Sequence, residues 1–254
     1  MFFFSKKTTI AASGVLQGAT DHHSHILPGV DDGVETMDEA LRILATYEAA
    51  GVKALWLTPH IMEDIPNTPQ KLKARFAELQ AAYTGNITLH LAAEYMIDNN
   101  LRKLLQNHCP SCVRGTSATV AEGDELLPIG NKGNHLLVET SYFNPPMRFR
   151  DTLRQIKSLG YHPLLAHPER YMYMDNDEYR ELHNEGVRFQ LNLPSLCGAY
   201  GSAVKKRALW LLKNNLYDAI GSDTHCEEGV KFIMGNKLKE KYISTLLMLK
   251  NSTL

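Results

Sequence analysis

The chain alternates between two hydrophobic periods. Apolar residues recur three and four positions apart over one stretch, then fall at every second position or in short unbroken runs over the next. Thr36-Met37-Asp38-Glu39 reads as a capping box, followed by a stripe of Ala40, Leu41, Leu44 and Tyr47 and a stop at Gly51. An extended run over 52–57 then meets His60. Thr68-Pro69 opens a second helix with Leu72, Phe76, Leu79 and Tyr83 on one face and Gly85 at its end, after which Ile87, Leu89 and Leu91 alternate toward Glu94. The unit returns at 136–138 into Glu139, at 163–166 into His167, at Val187, Phe189 and Leu191 into Asn192, and at 217–220 into Asp223. Gly160 and Gly186 mark helix ends between these runs. Strand and helix in strict alternation predict a parallel sheet.

Chemistry-bearing residues sit where the extended runs stop: His23-Ser24-His25, Asp31-Asp32, His60, Glu94, Glu139, His167 and Asp223-Thr224-His225. Two residues apart on a strand, His23 and His25 project to one face, and His22 and Ser24 to the other. Imidazole with carboxylate is the ligand set of zinc, manganese or non-haem iron. Glu94 follows Ala92-Ala93 at the end of an apolar strand, where an unpaired carboxylate is costly to bury. In an open sheet, strands about 4.8 Å apart would scatter six such ends over roughly 24 Å. Closing the sheet gathers them. The expected fold is therefore α/β, a TIM-like barrel of about seven strands with its site at the C-terminal strand ends.

Length and composition fit that expectation. A chain of 254 residues, 44% of them hydrophobic, can form one domain over 1–254. Within it, 1–19 reads as an N-terminal extension and 107–133, polar and glycine-rich, as a surface loop or insertion. The formal charge is -1 and basic residues cluster only in pairs such as Lys6-Lys7 and Lys205-Lys206, which argues against a nucleic-acid partner. Phe2, Phe3 and Phe4 precede Lys6-Lys7, the reverse of a secretory signal, and no apolar stretch approaches the roughly 18 residues of a membrane span. Export and stable membrane insertion are not expected. Four cysteines, Cys109, Cys112, Cys197 and Cys226, are too sparse for a disulfide framework and suggest a reducing compartment, the cytoplasm. Cys109-x-x-Cys112 is half of a zinc-ribbon signal with no second half.

Five ordered motifs carry a resemblance: Asp21-x-His23-x-His25, Leu27-Pro28-Gly29-Val30-Asp31-Asp32-Gly33, Thr58-Pro59-His60, Ala166-His167-Pro168-Glu169-Arg170-Tyr171 and Gly221-Ser222-Asp223-Thr224-His225. Together they resemble the polymerase and histidinol phosphatase (PHP) superfamily, and within it the metal-dependent bacterial protein tyrosine phosphatases encoded with capsule and exopolysaccharide genes. The resemblance implies a distorted (β/α)7 barrel and three divalent metals, manganese foremost, with iron or zinc also compatible. Carried over by position, it implies one metal on His23, His25, Glu94 and Asp223, a second on Glu94, Glu139 and His167, and a third on Asp32, His60 and His225. Arg170 matches the phosphate-binding arginine. Where relatives often carry another arginine after the final Asp-x-His, this chain offers only Lys231.

Three divalent cations among four carboxylates leave a net positive site suited to a phosphate dianion. The implied reaction is attack by metal-activated hydroxide on a phosphomonoester, without a cysteinyl-phosphate intermediate. Cysteine phosphatases place an arginine six positions after the nucleophile, but positions 115, 118, 203 and 232 are Gly115, Ala118, Ala203 and Phe232. Tyr142, Phe143, Tyr171, Met172 and Tyr173 follow the strand ends closely and could stack on an aryl ring or simply pack. The resemblance, not these aromatics, points to a phosphotyrosyl protein, in the first place the tail of a bacterial tyrosine kinase of capsule synthesis. The alternatives are a small-molecule phosphatase of the histidinol-phosphate type and a non-catalytic metal-binding scaffold.

Overall fold

The computed structural model describes residues 6–108, 125–250 and 254, so the expectations for Phe2 to Phe4 and for Cys109 and Cys112 fall outside the described residues. Lys7–Thr9 (β1) pairs antiparallel with Lys237–Lys239 (β11), a ladder the sequence pattern did not announce because each strand is three residues long. Ile10 and Val15 are buried behind it, so this part of the 1–19 stretch is packed.

The parallel strands follow: Thr20–Asp21 (β2), Ala54–Leu57 (β3), His60–Ile61 (β4), Thr88–Leu91 (β5), Glu94–Met96 (β6), His135–Glu139 (β7), His162–Ala166 (β8), Arg188–Asn192 (β9) and Ala219–Gly221 (β10). They form a six-stranded sheet in the order β10-β9-β8-β7-β6-β4 and a three-stranded sheet in the order β2-β3-β5. Short breaks at 58–59 and 92–93 separate β3 from β4 and β5 from β6. Backbone bonds continue through both, from Thr58 N–H to Ser24 O at 2.8 Å, Ala92 N–H to Leu57 O at 2.9 Å and Glu94 N–H to Pro59 O at 3.1 Å. On the other edge His22 N–H donates to Ile220 O at 2.9 Å, Asp223 N–H donates to His23 O at 2.8 Å, and Ser24 bridges Thr224 in parallel. The result is a mixed α/β fold around a curled parallel sheet.

Local sequence explains the helices. Met37–Ala49 (α1) starts where the Thr36 hydroxyl accepts the Glu39 N–H, and buries Ala40, Ile43, Leu44 and Tyr47. Burying a leucine of this kind contributes about 1.5–3 kcal/mol. Gly51 closes the connection at φ +84°, a conformation costly for any residue with a Cβ. Pro69–Ala82 (α2) is capped by Thr68 and buries Leu72 and Leu79. Asn99–Asn107 (α3), Phe149–Ser158 (α4), Asn176–Asn184 (α5), Leu193–Cys197 (α6), Gly201–Lys213 (α7), Glu227–Gly235 (α8) and Glu240–Leu249 (α9) complete the helices among the described residues. Asp175 closes a capping box with Glu178 at the start of α5.

At the end of the 107–133 stretch the expected surface loop is instead packed. Leu126, Leu127 and Ile129 are buried, the Leu127 N–H donates to the Tyr95 hydroxyl at 2.8 Å, and Ile129 bridges His135. Three apolar residues spaced inside a polar stretch were the signal for this. Among the described residues, no helix is long and apolar enough to cross a membrane.

Candidate metal centre

Every strand-end candidate converges on one place. His23, His25, Asp32, His60, Glu94, Glu139, His167, Asp223 and His225 distribute over four overlapping groups whose ligand atoms lie within 4.8 Å of one another. These are His23, His25 and Asp223; His23, Glu94 and His167; His60, Glu94 and Glu139; and His25, Asp32, His60 and His225. Glu94 is shared by two groups and is fully buried.

The first group is the tightest. Nε2 of His23 and Nε2 of His25 face each other at 3.1 Å. Glu94 Oε2 lies 3.2 Å from the former and 3.3 Å from the latter, and Asp223 Oδ1 lies 3.6 Å and 3.5 Å away. The opposite ring nitrogens decide what these atoms present. His23 Nδ1 meets Gln190 Oε1 at 2.8 Å, and that oxygen also accepts the His167 N–H at 3.2 Å, so it is an acceptor and Nδ1 carries the proton. His25 Nδ1 meets Asp31 Oδ2 at 2.8 Å. In the neutral imidazoles both Nε2 atoms are then lone pairs, aimed at each other and at two carboxylates. Only a cation or protons can reconcile four acceptors at such separations, and edges of 3.1–3.6 Å suit an ion with ligands about 2.1 Å away. His60 Nδ1 and Glu94 Oε2, buried atoms with no hydrogen bond, belong to the same set. The residues present fit a divalent metal.

The neighbouring groups extend it. His167 Nε2 is 3.1 Å from Glu94 Oε1 and 3.7 Å from Glu139 Oε2, while His60 Nδ1 is 3.2 Å from both Glu94 Oε2 and Glu139 Oε1. Asp32, largely exposed, lies 3.5 Å from His60 Nε2 and 3.7 Å from His225 Nε2. His25 sits beside this outer group as well, its ring centroid 4.1 Å from that of His225.

Without cations the field of the cluster falls on protons. Burial lowers the pKa of His23, but the Glu94 and Asp223 carboxylates outweigh it and hold it up at about 9. Burial raises that of Asp223, yet His23, His167, His25 and Arg170 pull it down to about 2. Glu94 is likewise held well below the ordinary carboxylate range by His23 and His167 against its own burial. His167 and Asp223 occupy the left-handed region, at φ 33° and φ 52°, a strained conformation for both that persists where a site over-determines it.

Arg170 ends the short 3-10 turn Pro168–Arg170 after β8. Its NH1 donates to Asp223 Oδ2 at 2.7 Å and its NH2 to the Tyr142 hydroxyl at 2.6 Å. Its guanidinium carbon lies 4.4 Å from the centre of the Tyr142 ring and 4.3 Å from that of Tyr200. Lys231 pairs with Glu227 at 2.9 Å on α8, an exposed position.

Sequence reading gave no role to Gln190, Asn192 or Tyr200, and named Asp31 only as the neighbour of Asp32. Asp31, beside the expected Asp32, holds His25 and accepts the His60 N–H at 3.0 Å. Gln190 orients His23, Asn192 donates to Asp223 Oδ2 at 3.0 Å, and Tyr200 stacks on Arg170. Gln190 and Asn192 alternate in Phe189-Gln190-Leu191-Asn192, and polar residues at every second position of an otherwise apolar buried strand were the available signal.

Residues 19–247 match the family described as Capsular polysaccharide synthesis, CpsB/CapC. CapC of Staphylococcus aureus is 27% identical over 92% of this chain and 89% of its own length. The tyrosine-protein phosphatase CpsB of Streptococcus pneumoniae is 28% identical over 81% of this chain and 82% of its own. A solved structure from the pair YwqE of Bacillus subtilis and CpsB of Streptococcus pneumoniae, described as metal-dependent tyrosine phosphatases, aligns with a TM-score of 0.72 at 20% identity. It covers 92% of this chain and 96% of that chain, and bears on the fold alone.

Proposed function

The chain belongs to the CpsB/CapC family of capsular polysaccharide synthesis, and we propose that it is a metal-dependent protein tyrosine phosphatase. The observation that carries this reading is the facing pair of Nε2 atoms on His23 and His25, 3.1 Å apart between Glu94 and Asp223. The family's curated member CpsB of Streptococcus pneumoniae, a tyrosine-protein phosphatase, supports the substrate class.

In finer detail, the proposed fold is a distorted (β/α)7 barrel forming one domain over 1–254, a reading supported by the backbone bonds at 24, 58, 92, 94 and 223. Three divalent ions, manganese foremost, would bind at His23, His25, Glu94 and Asp223, at Glu94, Glu139 and His167, and at Asp32, His60 and His225, with His25 and His60 near enough to be shared. When bound, such ions lower the pKa of water to near neutrality and neutralise phosphate charge. Gln190 and Asp31 fix the imidazole tautomers, so the ligands meet their ions without rearranging. Arg170, held over the site by Asp223 and Tyr142, spends two of its N–H groups there and turns the others to the phosphate oxygens. A bacterial tyrosine kinase tail in the cytoplasm is the proposed partner, in keeping with the capsule-synthesis family and with four scattered cysteines.

Rates measured side by side on a phosphotyrosyl peptide, a phosphoseryl peptide and histidinol phosphate, with manganese added, test the reading. The phosphotyrosyl peptide is expected to be preferred by at least about tenfold in kcat/KM, a difference of roughly 1.4 kcal/mol. Preference for histidinol phosphate would replace it with a small-molecule phosphatase.

A further inference from the structure

The aromatics nearest the site in sequence are already committed. Tyr171 is fully buried, stacked between Tyr142 and Tyr173 at centroid distances of 6.4 Å and 5.9 Å, and donates its hydroxyl to Ala166 O. Tyr142 bonds Arg170, and Tyr173 meets Thr140 Oγ1 at 2.6 Å. Each of the three is thus held by partners of its own.

Exposed apolar side chains lie elsewhere on the mouth. Among the described residues the exposed large hydrophobics are Phe143, Met147, Met172, Tyr200, Phe232 and Met248; Phe143 and Met147 lie in the segment after Glu139, and Met172 two residues after Arg170. Tyr200 and Phe232 line a groove of about 500 Å³ that runs out from Arg170, Asp223 and His225 between α6, the start of α7 and α8. Pro194 and Ile233 add to its walls, and its edge bears Glu228. Phe143 and Met147 follow β7 while Met172 follows the turn bearing Arg170, and the two segments are tied by the Met172 N–H donating to Tyr142 O at 2.7 Å. Apolar groups gathered at a catalytic mouth, on a surface where single ones are normal, mark a binding surface.

We propose that the phosphorylated segment of a polypeptide crosses this mouth, with the phosphotyrosyl ring in the Tyr200–Phe232 groove and its neighbouring residues on the Phe143, Met147 and Met172 wall. This rests on the phosphotyrosine reading of the site. Arg170 and Asp223 line the same groove as Tyr200 and Phe232, so the aryl group of an ester whose phosphate is held by Arg170 has an apolar slot beside it that an alkyl phosphate would leave wet. The opposite wall takes side chains, not phosphate, because it carries sulfur and ring carbon at its exposed positions.

The test compares wild type with Phe232→Ala, Phe232→Leu and the pair Phe143→Ser/Met172→Ser, all at exposed positions. Two readouts are used. The first is kcat/KM for phenyl phosphate against glycerol phosphate with manganese. The second is the Kd of a peptide bearing a non-hydrolysable phosphonate analogue of phosphotyrosine, against that of the free phosphonate amino acid. Phe232→Ala is expected to lower the aryl-to-alkyl ratio about tenfold, with Phe232→Leu recovering part of it. The serine pair is expected to weaken the peptide at least about fivefold more than the free amino acid. An unchanged aryl-to-alkyl ratio in Phe232→Ala, or equal weakening of peptide and amino acid in the serine pair, overturns the proposal while leaving the phosphatase reading intact. Absence of phosphotyrosyl turnover in wild type overturns both.

Discussion

Gln190 holds His23 by its far ring nitrogen, Oε1 to Nδ1 at 2.8 Å, and thereby turns the other nitrogen of that imidazole into the cluster. The same oxygen receives the His167 N–H at 3.2 Å, so one amide holds two candidate ligands, one following β2 and one following β8. Replacing it with a side chain of similar size and no acceptor, Gln190→Leu, frees the His23 tautomer. Metal affinity is expected to fall about 10- to 100-fold, as for other outer partners of ligating histidines. Titration of the chelated protein with manganese checks it, and an unchanged affinity would remove Gln190 from the account.

Arg170 is expected to act on phosphate. Arg170→Ala should reduce kcat/KM by about 10² or more, the loss of one strong transition-state contact of roughly 3 kcal/mol. Arg170→Lys should recover only part, since an ammonium lacks the planar pair of donors. Because the guanidinium also bonds Asp223, metal content must be measured on the same samples. Metal loss in proportion to lost activity would show that the arginine works through Asp223 instead.

Much of this was legible in the sequence, for a physical reason. A parallel strand buried on both faces has to be apolar along its length, so the first histidine or carboxylate after it stands out. The ends at His60, Glu94, Glu139 and His167 were read in this way, and the structure brings all four together. What escaped was short or indirect. β1 and β11 are three residues each, too brief for any period to emerge, and Gln190 acts through the residue it touches rather than on a ligand of its own.

Gly33 marks a place where nothing larger fits. A methyl group there would overlap the backbone carbonyl oxygen and the Cβ of His25 and crowd the Asp31 carboxylate, and backbone cannot swing aside as a flexible side chain does. Gly33→Ala is therefore expected to cost about 1–3 kcal/mol of stability. Thermal melting of the metal-free protein, lower by several degrees, checks this, and the manganese-loaded protein should lose affinity as well because the His25–Asp31 bond of 2.8 Å is displaced.

Acidity should act with opposite signs on the two forms. In the metal-free protein His23 is raised from its ordinary value of 6.5 to about 9. The stability this contributes is fully present below pH 6.5 and lost as pH rises through about 9. A bound cation has to displace that proton, so metal affinity rises over the same interval. Melting temperatures of chelated and manganese-loaded samples between pH 6.5 and 9 should diverge as pH increases. Parallel curves would contradict the assignment of His23 to the metal.

Cysteine is not required for turnover. Burial raises the Cys197 thiol to about 11, far from a reactive thiolate, and Cys226 is exposed with no arginine six positions on. Cys197→Ser and Cys226→Ser should keep phosphatase activity within a few-fold when folded and metallated. A large loss at either one would reverse the mechanism.

The central claim is that phosphotyrosine hydrolysis belongs to the cluster built on Glu94. The most direct measurement is manganese bound per chain, by elemental analysis, set against the rate on a phosphotyrosyl peptide for wild type and Glu94→Gln. The account predicts two to three equivalents in wild type with activity tracking occupancy, following the three proposed ligand sets, and loss of both metal and turnover in the variant. Full turnover by wild type holding less than one equivalent, or by Glu94→Gln, would contradict it.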